Sequence, residues 1–260
     1  MNADFESHKA TIISQFSMQA VPFAELPGHS DAIRMLVEMC RLKGHEEVLD
    51  VACGPGLVAC EFARYAGHVS GIDITPGMIA QAAARQRASG LTNIDWRVGD
   101  ATRLPFDDAS YSVVVTRYSF HHFPDPKAVL SEMLRVCKPG GTILIADVVQ
   151  RPENASAYDE LELLRDPSHV HALTFSEMES IIVQSGLLDV RTQRYRVDGD
   201  VESQLRASFP NPGDEEKIRE LFKADLDSDR LGINVRMSGG RIHFSVPILV
   251  VVGQKQMSER

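Results

Sequence analysis

Short apolar runs alternate with amphipathic segments through the middle of this chain. The runs cover residues 47–51, 68–73, 94–98, 111–116 and 142–148, and each is short and mostly apolar, as a parallel strand buried on both faces should be. Helical patterns occupy residues 57–66, 76–89 and 127–137 between them. Because strands and helices alternate, the pattern predicts right-handed crossovers and a doubly wound α/β sheet.

The two ends of the chain show a different pattern. Residues 1–45 read as helical, with one helix at about 10–20 and a second that Ser30 and Asp31 cap and that runs to about Lys43. Later, the capping box from Thr174 to Glu177 predicts a helix that ends near residue 185. Strands are predicted at 188–197 and 241–252, with a helical segment near 214–227 between them.

Composition narrows the function classes. The chain has 260 residues, of which 43% are hydrophobic and 24% charged, as in an ordinary globular protein. A formal net charge of -9 disfavours a broad electrostatic grip on nucleic acid. No apolar run approaches the roughly 20 residues of a membrane span, and the N-terminus lacks a signal peptide, so we expect a cytoplasmic protein. The four cysteines show no CxxC or zinc-finger spacing, which predicts reduced thiols and no metal site.

The stretch VLDVACGPGLVACEFA, residues 48–63, joins a predicted strand to a predicted helix through a glycine turn. Gly54-x-Gly56-x-x-Ala59 satisfies the dinucleotide fingerprint, and Asp73 stands about where a ribose-binding carboxylate belongs, so NAD is one hypothesis. Asp50 stands inside the strand, just before the turn. A carboxylate there would repel a pyrophosphate but would suit the sulfonium and amino groups of S-adenosylmethionine (SAM), which favours SAM.

Three further motifs follow this turn in order: GIDITPGMI at residues 71–79, VGDATRLPFDDASYSVVV at 98–115 and LRVCKPGGTILIADVV at 134–149. Together with VLDVACGPG they resemble the motifs of class I SAM-dependent methyltransferases. The similarity is greatest to the UbiE-like small-molecule methyltransferases, which include quinone methylases. It is specific over residues 45–150 and loose outside them.

The resemblance implies a single methyltransferase domain over residues 1–260 with a Rossmann-like fold. We expect a helical cap at 1–45, a SAM-binding core at 46–150 and a substrate side at 151–260. The sheet should have seven mostly parallel strands, with the last one antiparallel and helices on both faces. An insertion at 198–240 either adds to the cover of the active site or makes a dimer contact.

The resemblance also implies which residues bind the cofactor, position by position. Most of them follow the end of a predicted strand, where ligands of α/β sheets bind. They are Asp50, Cys53, Gly54 and Gly56 for the methionine part, Asp73 for ribose, Ile74 and Met78 for the adenosine, Asp100 and Ala101 for adenine, and Arg117 for the methionine end.

The predicted acceptor site lies where TRYSFHHFPDP, residues 116–126, leaves the fourth strand. It lacks the NPPY-type signature of amino-group methylases that act on nucleic acid. His121 or His122 could serve as a base, or one of the two could instead cap the next helix or pack beneath the cofactor. Tyr118 is a candidate acceptor contact.

Two other segments supply candidate acceptor residues. Within residues 164–175, Arg165, His169 and His171 could reach the pocket, with His169 ranked above His171 as a contact and catalytic candidate. The His-x-His spacing lacks a third metal ligand nearby, so loop histidines are the simpler interpretation. In the N-terminal segment, Phe16 and Phe23 either form an apolar cover that excludes water or pack on the sheet.

The resulting hypothesis is an enzyme that transfers a methyl group from SAM to a small organic acceptor at O, N or C, and releases S-adenosylhomocysteine (SAH). Alternatives are a quinone-precursor C-methyltransferase, a tRNA methyltransferase and a non-catalytic SAM-binding protein. The acidic net charge makes the tRNA alternative weaker. The expected partner is the small acceptor, with the protein a monomer or a homodimer.

Overall fold

A computed structural model of the protein describes residues 3–19 and 32–257, with side chains in the first range from residue 6 onward. The caps predicted at Ser30 and Asp31 and the acceptor contact predicted at Phe23 lie outside the described residues. Helix α1 covers Ala3–Gln19 and α2 covers Ile33–Cys40. Helix α2 ends earlier than predicted because Arg41 adopts a left-handed conformation, with φ 53°, which stops the helix.

The described residues form an eight-stranded sheet. Its strands are β1 (Glu47–Val51), β2 (His68–Asp73), β3 (Ile94–Val98), β4 (Tyr111–Arg117), β5 (Cys137–Val148), β6 (Leu188–Asp200), β7 (Arg236–Ser238) and β8 (Arg241–Gln254). The strand order is β3-β2-β1-β4-β5-β8-β6, and β3 through β5 in this order pair in parallel. The doubly wound, Rossmann-like fold predicted from the sequence is confirmed.

The antiparallel edge of the sheet is longer than the sequence pattern indicates. Strand β8 runs antiparallel to both β5 and β6, as predicted for the last strand. The short strand β7 was not predicted, and it pairs with β8 through a tight turn at Gly239 and Gly240. Both glycines have positive φ, 57° and 76°, which a two-residue hairpin turn of this kind requires.

The remaining helices connect these strands. They are α3 (Leu57–Phe62), α4 (Pro76–Ala88), α5 (Pro126–Val136), α6 (Pro152–Arg165), α7 (Phe175–Ser185), α8 (Val201–Arg206) and α9 (Asp214–Ala224). Helices α6 and α8 were missing from the prediction. A signal for α6 was present, since Pro152 in the first turn is followed by the acidic Glu153.

Apolar side chains cover both faces of the sheet. On one face α5 and α7 contribute Met133 and Ile181, and on the other α2 and α3 contribute Leu36 and Phe62. A third apolar cluster joins α6, α8 and α9 to the ends of β5 and β8. The strands are therefore held rigidly, and their carboxyl ends meet at the edge where the strand order reverses between β1 and β4.

All four cysteines of the chain are buried free thiols. Within the described residues, no helix combines the length and the apolarity needed to cross a membrane.

Candidate active site

A cavity of about 1060 Å³, here called the donor cavity, opens where the chain leaves β1, β2, β3 and β4. Helix α1 covers it with His8, Lys9, Ile12 and Phe16. Most of the residues predicted to bind the cofactor line this cavity, although they are as far apart in the sequence as Cys53 and Arg117. They are Cys53, Gly54, Asp73, Ile74, Met78, Asp100, Ala101 and Arg117.

Gly54 and Asp73 are tied to each other at the floor of the donor cavity. The Asp73 carboxylate accepts hydrogen bonds from the backbone N–H of Gly54, at 2.9 Å, and of Thr75, at 2.8 Å. Burial raises the pKa of Asp73, although these two hydrogen bonds act against the rise. Each carboxylate oxygen keeps acceptor capacity toward the cavity, which fits the two ribose hydroxyls of SAM.

The backbone at Gly54 leaves space that a ligand can use. Gly54 has a φ of 51°, and a Cβ built on it would meet no heavy atom within 4 Å. A side chain at this position would therefore be strained and would enter an open region beside Asp73. The close approach of a ligand to this backbone explains why glycine stands here, so the residues present fit SAM.

The structure corrects the predicted roles of Asp50 and Gly56, because neither residue lines the donor cavity. Asp50 lies below the floor and accepts a hydrogen bond at 2.9 Å from the N–H of Ala59, in the first turn of α3. Burial raises the pKa of Asp50 to about 8. Asp50 thus occupies the helix N-terminus that a pyrophosphate would need, which still disfavours NAD but does not place the carboxylate against a sulfonium.

Glycine is required at position 56 because the turn after β1 packs closely against α4 and β3. Its φ is 77°, and a Cβ would lie 2.8 Å from the Trp96 ring and 2.9 Å from the Cβ of Ala82. The second glycine of the fingerprint therefore lets α3 and α4 pack together, and the contact with the cavity is left to Gly54.

Asp100 also lines the donor cavity, and the resemblance assigns it to adenine. Its carboxylate lies 2.6 Å from Lys9 Nζ on α1 and accepts hydrogen bonds from the N–H and the hydroxyl of Thr102. Despite partial burial, these contacts lower the pKa of Asp100. An ionised carboxylate at this point is a suitable acceptor for the adenine amino group.

Arg117 and Tyr118 form a buried group at the end of β4. The Arg117 guanidinium lies over the Tyr118 ring, 4.1 Å from its centroid, and donates to the Tyr118 hydroxyl at 2.9 Å. The Tyr118 and Tyr195 hydroxyls are 2.8 Å apart, which ties this group to β6. Tyr118 has a φ of 56°, a costly conformation for a bulky residue that its surroundings must hold in place.

A second cavity of about 1460 Å³, here called the acceptor cavity, adjoins the first. The two cavities share Phe16, Tyr118 and His122 as a common wall. The rest of the acceptor cavity is mostly apolar and is formed by α6, α8, α9, β6 and β8. Its apolar side chains are Val148, Tyr158, Leu161, Val197, Val201, Leu205, Ile218, Phe222, Ile233, Phe244, Val246 and Ile248.

His121 and His122, the two candidate bases, both line this cavity. They lie in a short 3-10 turn at Phe120–His122. His121 Nδ1 lies 2.6 Å from Asp147 Oδ1, at the end of β5. Burial disfavours the imidazolium, but the Asp147 carboxylate outweighs burial and raises the pKa of His121. Among the described residues, no carboxylate hydrogen-bonds the His122 ring, and burial together with the neighbouring His121 lowers its pKa to about 3.

The structure corrects the predictions for His169 and His171, because neither lines the described cavities. Each binds one oxygen of the Asp159 carboxylate. His169 Nε2 lies 2.7 Å from Oδ1, and His171 Nδ1 lies 2.6 Å from Oδ2. His171 also lies 3.1 Å from Glu177 on α7. These contacts attach the loop after α6 to α6 and α7, so the two histidines have a structural role behind the site.

Arg165 lines the acceptor cavity as predicted, but its guanidinium is already engaged. It donates to the Glu162 carboxylate on the same helix and, at 3.3 Å, to the Ser208 hydroxyl. The pair is largely buried, with 14% and 12% of the two side chains exposed. Arg165 therefore belongs to an internal ion pair rather than to a free anion site.

Several functional positions were missed by the sequence reasoning. They are Lys9, Asp147, Glu162 and Tyr195, each of which acts through a partner far along the chain or on an unpredicted helix. Asp147 had a visible signal, because an acidic residue at the carboxyl end of a central parallel strand is placed at the ligand edge of the sheet. The others carried no local signal.

Comparison with known proteins extends these observations. A family model described as a methyltransferase domain matches residues 49–145. The uncharacterized methyltransferase YcgJ of Bacillus subtilis is 28% identical over 227 residues, which are 85% of this chain and 89% of that protein. The crystal structure of YcgJ has a TM-score of 0.80 at 24% identity and covers 88% of this chain and 100% of the solved one.

Two further proteins are similar to this chain. A Bacillus halodurans structure described as a candidate methyltransferase has a TM-score of 0.78 at 28% identity, and covers 86% of this chain and 99% of that chain. The UbiE C-methyltransferase of Roseobacter denitrificans is 33% identical over 119 residues, 44% of this chain and 48% of that protein. This chain thus spans about half of that relative, which supports the family and says little about the UbiE-like subgroup.

Proposed function

The chain belongs to the class I SAM-dependent methyltransferases, and we propose that it transfers the methyl group of SAM to a small organic acceptor. The observation that carries this proposal is the wall of Phe16, Tyr118 and His122 that the donor and acceptor cavities share. When bound, SAM supplies an electrophilic methyl group on a positively charged sulfur. Because the two cavities share these residues, an acceptor in one would lie next to a methyl donor in the other.

The donor cavity offers complementary groups for each part of SAM. Asp73 would accept from the ribose hydroxyls, and Asp100 from the adenine amino group. Ile74, Met78 and Ala101 provide apolar surface for the adenosine. Cys53, Gly54 and Arg117 also line this cavity and would contact the methionine part.

The enzyme's own contribution is positioning and the exclusion of water. Alignment of two bound reactants lowers the barrier to a displacement at carbon, because the entropy of bringing them together has been lost in binding. Phe16 lies with its ring edge against His122, at a centroid distance of 5.0 Å, and closes the wall from the side of α1. His8 Nε2 donates to the His122 carbonyl at 2.9 Å, which attaches α1 to the same turn.

The size and the chemistry of the acceptor cavity favour a small molecule over a macromolecule. Helices α6, α8 and α9 form its walls, and its lining is predominantly apolar. The formal net charge of -9 gives no general attraction for nucleic acid. A compact acceptor with a substantial apolar part is the best match.

Two measurements test this function. Calorimetry with SAM, SAH and NAD should show binding of SAM and SAH and none of NAD; the reverse result would overturn the proposal. Incubation of the protein and SAM with a fractionated metabolite extract should release SAH in particular fractions. SAM binding without SAH release in any fraction would instead indicate a non-catalytic SAM-binding protein.

A further inference from the structure

The two adjacent histidines of the acceptor cavity differ in environment, and the difference points to the class of acceptor. We propose that the acceptor is a mainly apolar molecule with a phenolic or enolic hydroxyl, and that His121, held by Asp147, removes the proton of that hydroxyl. This inference rests on the proposed function, because it assigns the acceptor of the same site.

His121 has the geometry of an oriented base. The Asp147 carboxylate also accepts backbone hydrogen bonds at 2.8 Å from Ser119 and 2.7 Å from Phe120, and it is fully buried. An ionised carboxylate only accepts, so Nδ1 of His121 carries the proton and Nε2 of the neutral ring has a lone pair. Among the residues that the structure describes, none hydrogen-bonds this Nε2, and His121 lines the acceptor cavity.

His122 is unsuited to the same task, although it stands closer to the donor side. Its Nδ1 lies 3.0 Å from the carbonyl oxygen of Ser168, which can only accept, so Nδ1 carries the proton here too. Burial and the neighbouring His121 lower the pKa of this ring to about 3 despite the charge of Asp166, so the ring stays neutral at physiological pH. His122 therefore forms a fixed part of the shared wall, and proton removal falls to His121.

The remaining polar groups of the acceptor cavity do not favour a charged acceptor. Each carboxylate on its wall already has a partner among the described residues, which limits how strongly it can attract a cationic acceptor. The pairs are Glu162 with Arg165, Asp166 with Gln19, Asp198 with Arg236, and Asp200 with the N–H of Ser203. Because Arg165 is also engaged, a carboxylate acceptor finds no free guanidinium there.

A neutral acceptor with one acidic hydrogen matches this cavity. The hydroxyl proton passes to Nε2 of His121 while the oxygen forms a bond to the methyl carbon. The carbon–sulfur bond breaks, its electron pair stays on sulfur, and the products are a methyl ether and neutral SAH. The imidazolium then releases its proton to solvent, so the reaction yields one proton overall and needs no oxidant or reductant.

Asp147 is a positioning residue in this scheme, and it also sets the pH at which His121 works. The charged and titratable groups that face His121 are Asp147 from β5, His122 on its own turn, Glu162 and Arg165 from α6, and His169 from the following loop. Their sum raises the pKa of His121. Recognition of a hydroxyl should therefore strengthen as pH rises through the His121 pKa, and loss of Asp147 should move this rise to lower pH.

The test uses the full chain loaded with SAH and four naphthalene probes that share one apolar body. The probes are 2-naphthol, 2-methoxynaphthalene, 2-naphthoate and 2-naphthylmethylammonium, and their dissociation constants are measured from pH 5 to 8. At pH 8 we expect 2-naphthol to bind about tenfold more tightly than 2-methoxynaphthalene, the size of one net hydrogen bond, and more tightly than either charged probe. Phenols ionise near pH 10, so a change between pH 5 and 8 reports the protein.

Three variants test whether His121 and Asp147 cause the preference for 2-naphthol over 2-methoxynaphthalene. His121→Asn places an amide where Nδ1 was, so it keeps a hydrogen-bond donor for Asp147 but removes Nε2. In this variant the dissociation constants of 2-naphthol and 2-methoxynaphthalene should lie within about threefold of each other. Asp147→Asn should shift the midpoint of the pH dependence downward. His171→Gln, a histidine outside both cavities, is the matched control and should keep the preference.

The outcomes separate this inference from the proposed function. If the wild-type protein does not bind SAH, the methyltransferase proposal itself fails. If SAH binds but 2-naphthol and 2-methoxynaphthalene bind equally, including the case in which neither binds, only the acceptor inference is overturned. Tightest binding of 2-naphthoate or of the ammonium probe, or a preference that survives in His121→Asn, would overturn it as well.

Discussion

The donor cavity is lined by α1 and by short loops between residues 52 and 124, whereas the acceptor cavity combines segments as distant as Phe16 and Ile248. In the donor cavity each loop is fixed by the parallel strand before it, so its position follows from the strand register. In the acceptor cavity the walls are helices and an antiparallel edge that pack on one another. The donor side is thus a local property of the core, and the acceptor side is a property of long-range packing.

This contrast extends to the polar groups of the two cavities. On the donor side, Asp73 and Asp100 keep acceptor capacity toward the ligand while backbone N–H groups hold them in place. On the acceptor side, Glu162 and Asp166 are used by neighbouring side chains. The polar groups of the donor cavity are therefore available to bind a ligand, whereas most of those in the acceptor cavity stabilise the fold.

The largest expected effect concerns stability and lies on the acceptor side. Arg165→Met leaves the buried Glu162 carboxylate without its partner and should lower the free energy of unfolding by about 3 kcal/mol, measured by urea denaturation at pH 7. Arg165, with smaller contributions from His169 and His121, holds the pKa of Glu162 below its usual range despite burial. The stabilisation is present above the unfolded-state pKa and is lost as pH falls through the folded one, so the deficit should shrink in acid.

The double variant Glu162→Leu/Arg165→Met is the control for this prediction. It removes both charges from the buried site, so its stability should return to within about 1 kcal/mol of the wild type. A single variant as stable as the wild type would show that this pair does not support the acceptor wall, and the contrast between the two cavities would lose its main energetic basis.

The next effect concerns ligand affinity and lies on the donor side. Asp73→Ala removes a buried carboxylate that we propose binds ribose, and it should weaken SAM binding by about 1–3 kcal/mol, roughly 5- to 150-fold in Kd. Calorimetry measures the change. Asp95→Ala, on an exposed position of the neighbouring strand with 84% of its side chain exposed, is the matched control and should bind SAM normally. An unchanged Kd in Asp73→Ala would remove Asp73 from the cofactor site.

The same contrast explains what the sequence could predict. Five parallel strands carry their signal within five to seven residues each, and the motifs at their ends identify Gly54, Asp73 and Asp100 in register. Register in a buried parallel sheet then fixes where those side chains lie. Asp50 was misplaced by the same local reasoning, because its position in the chain suggests the turn whereas its side chain points beneath α3.

The acceptor side offered no comparable local signal. His169 and His171 lie in the segment predicted to reach the acceptor, but their orientation depends on Asp159 in α6, a helix that the prediction missed. The choice between His121 and His122 depends on Asp147, which is 26 residues away from His121 along the chain. Such side-chain partnerships depend on tertiary packing, and a single sequence records them only as separate residues.

The smallest expected effect tests whether α1 belongs energetically to the donor side. Lys9→Met breaks the ion pair with Asp100, in which 20% of the Lys9 side chain and 26% of the Asp100 side chain are exposed. The variant should lower the free energy of unfolding by no more than about 1 kcal/mol at pH 7. Lys9 and Thr102 hold the pKa of Asp100 below its ordinary value despite partial burial. The contribution is therefore present above the unfolded-state pKa and disappears as pH falls through the folded pKa of Asp100.

Comparison with a more exposed pair makes this small effect interpretable. Arg34→Met breaks a contact with Glu38 on α2, where 78% and 66% of the two side chains are exposed, so water and salt screen it and no measurable loss is expected. If both variants lose the same stability at every pH, the contact between Lys9 and Asp100 is an ordinary surface pair. A loss confined to Lys9→Met that vanishes in acid would instead show that α1 is held over the donor cavity by the carboxylate expected to receive adenine.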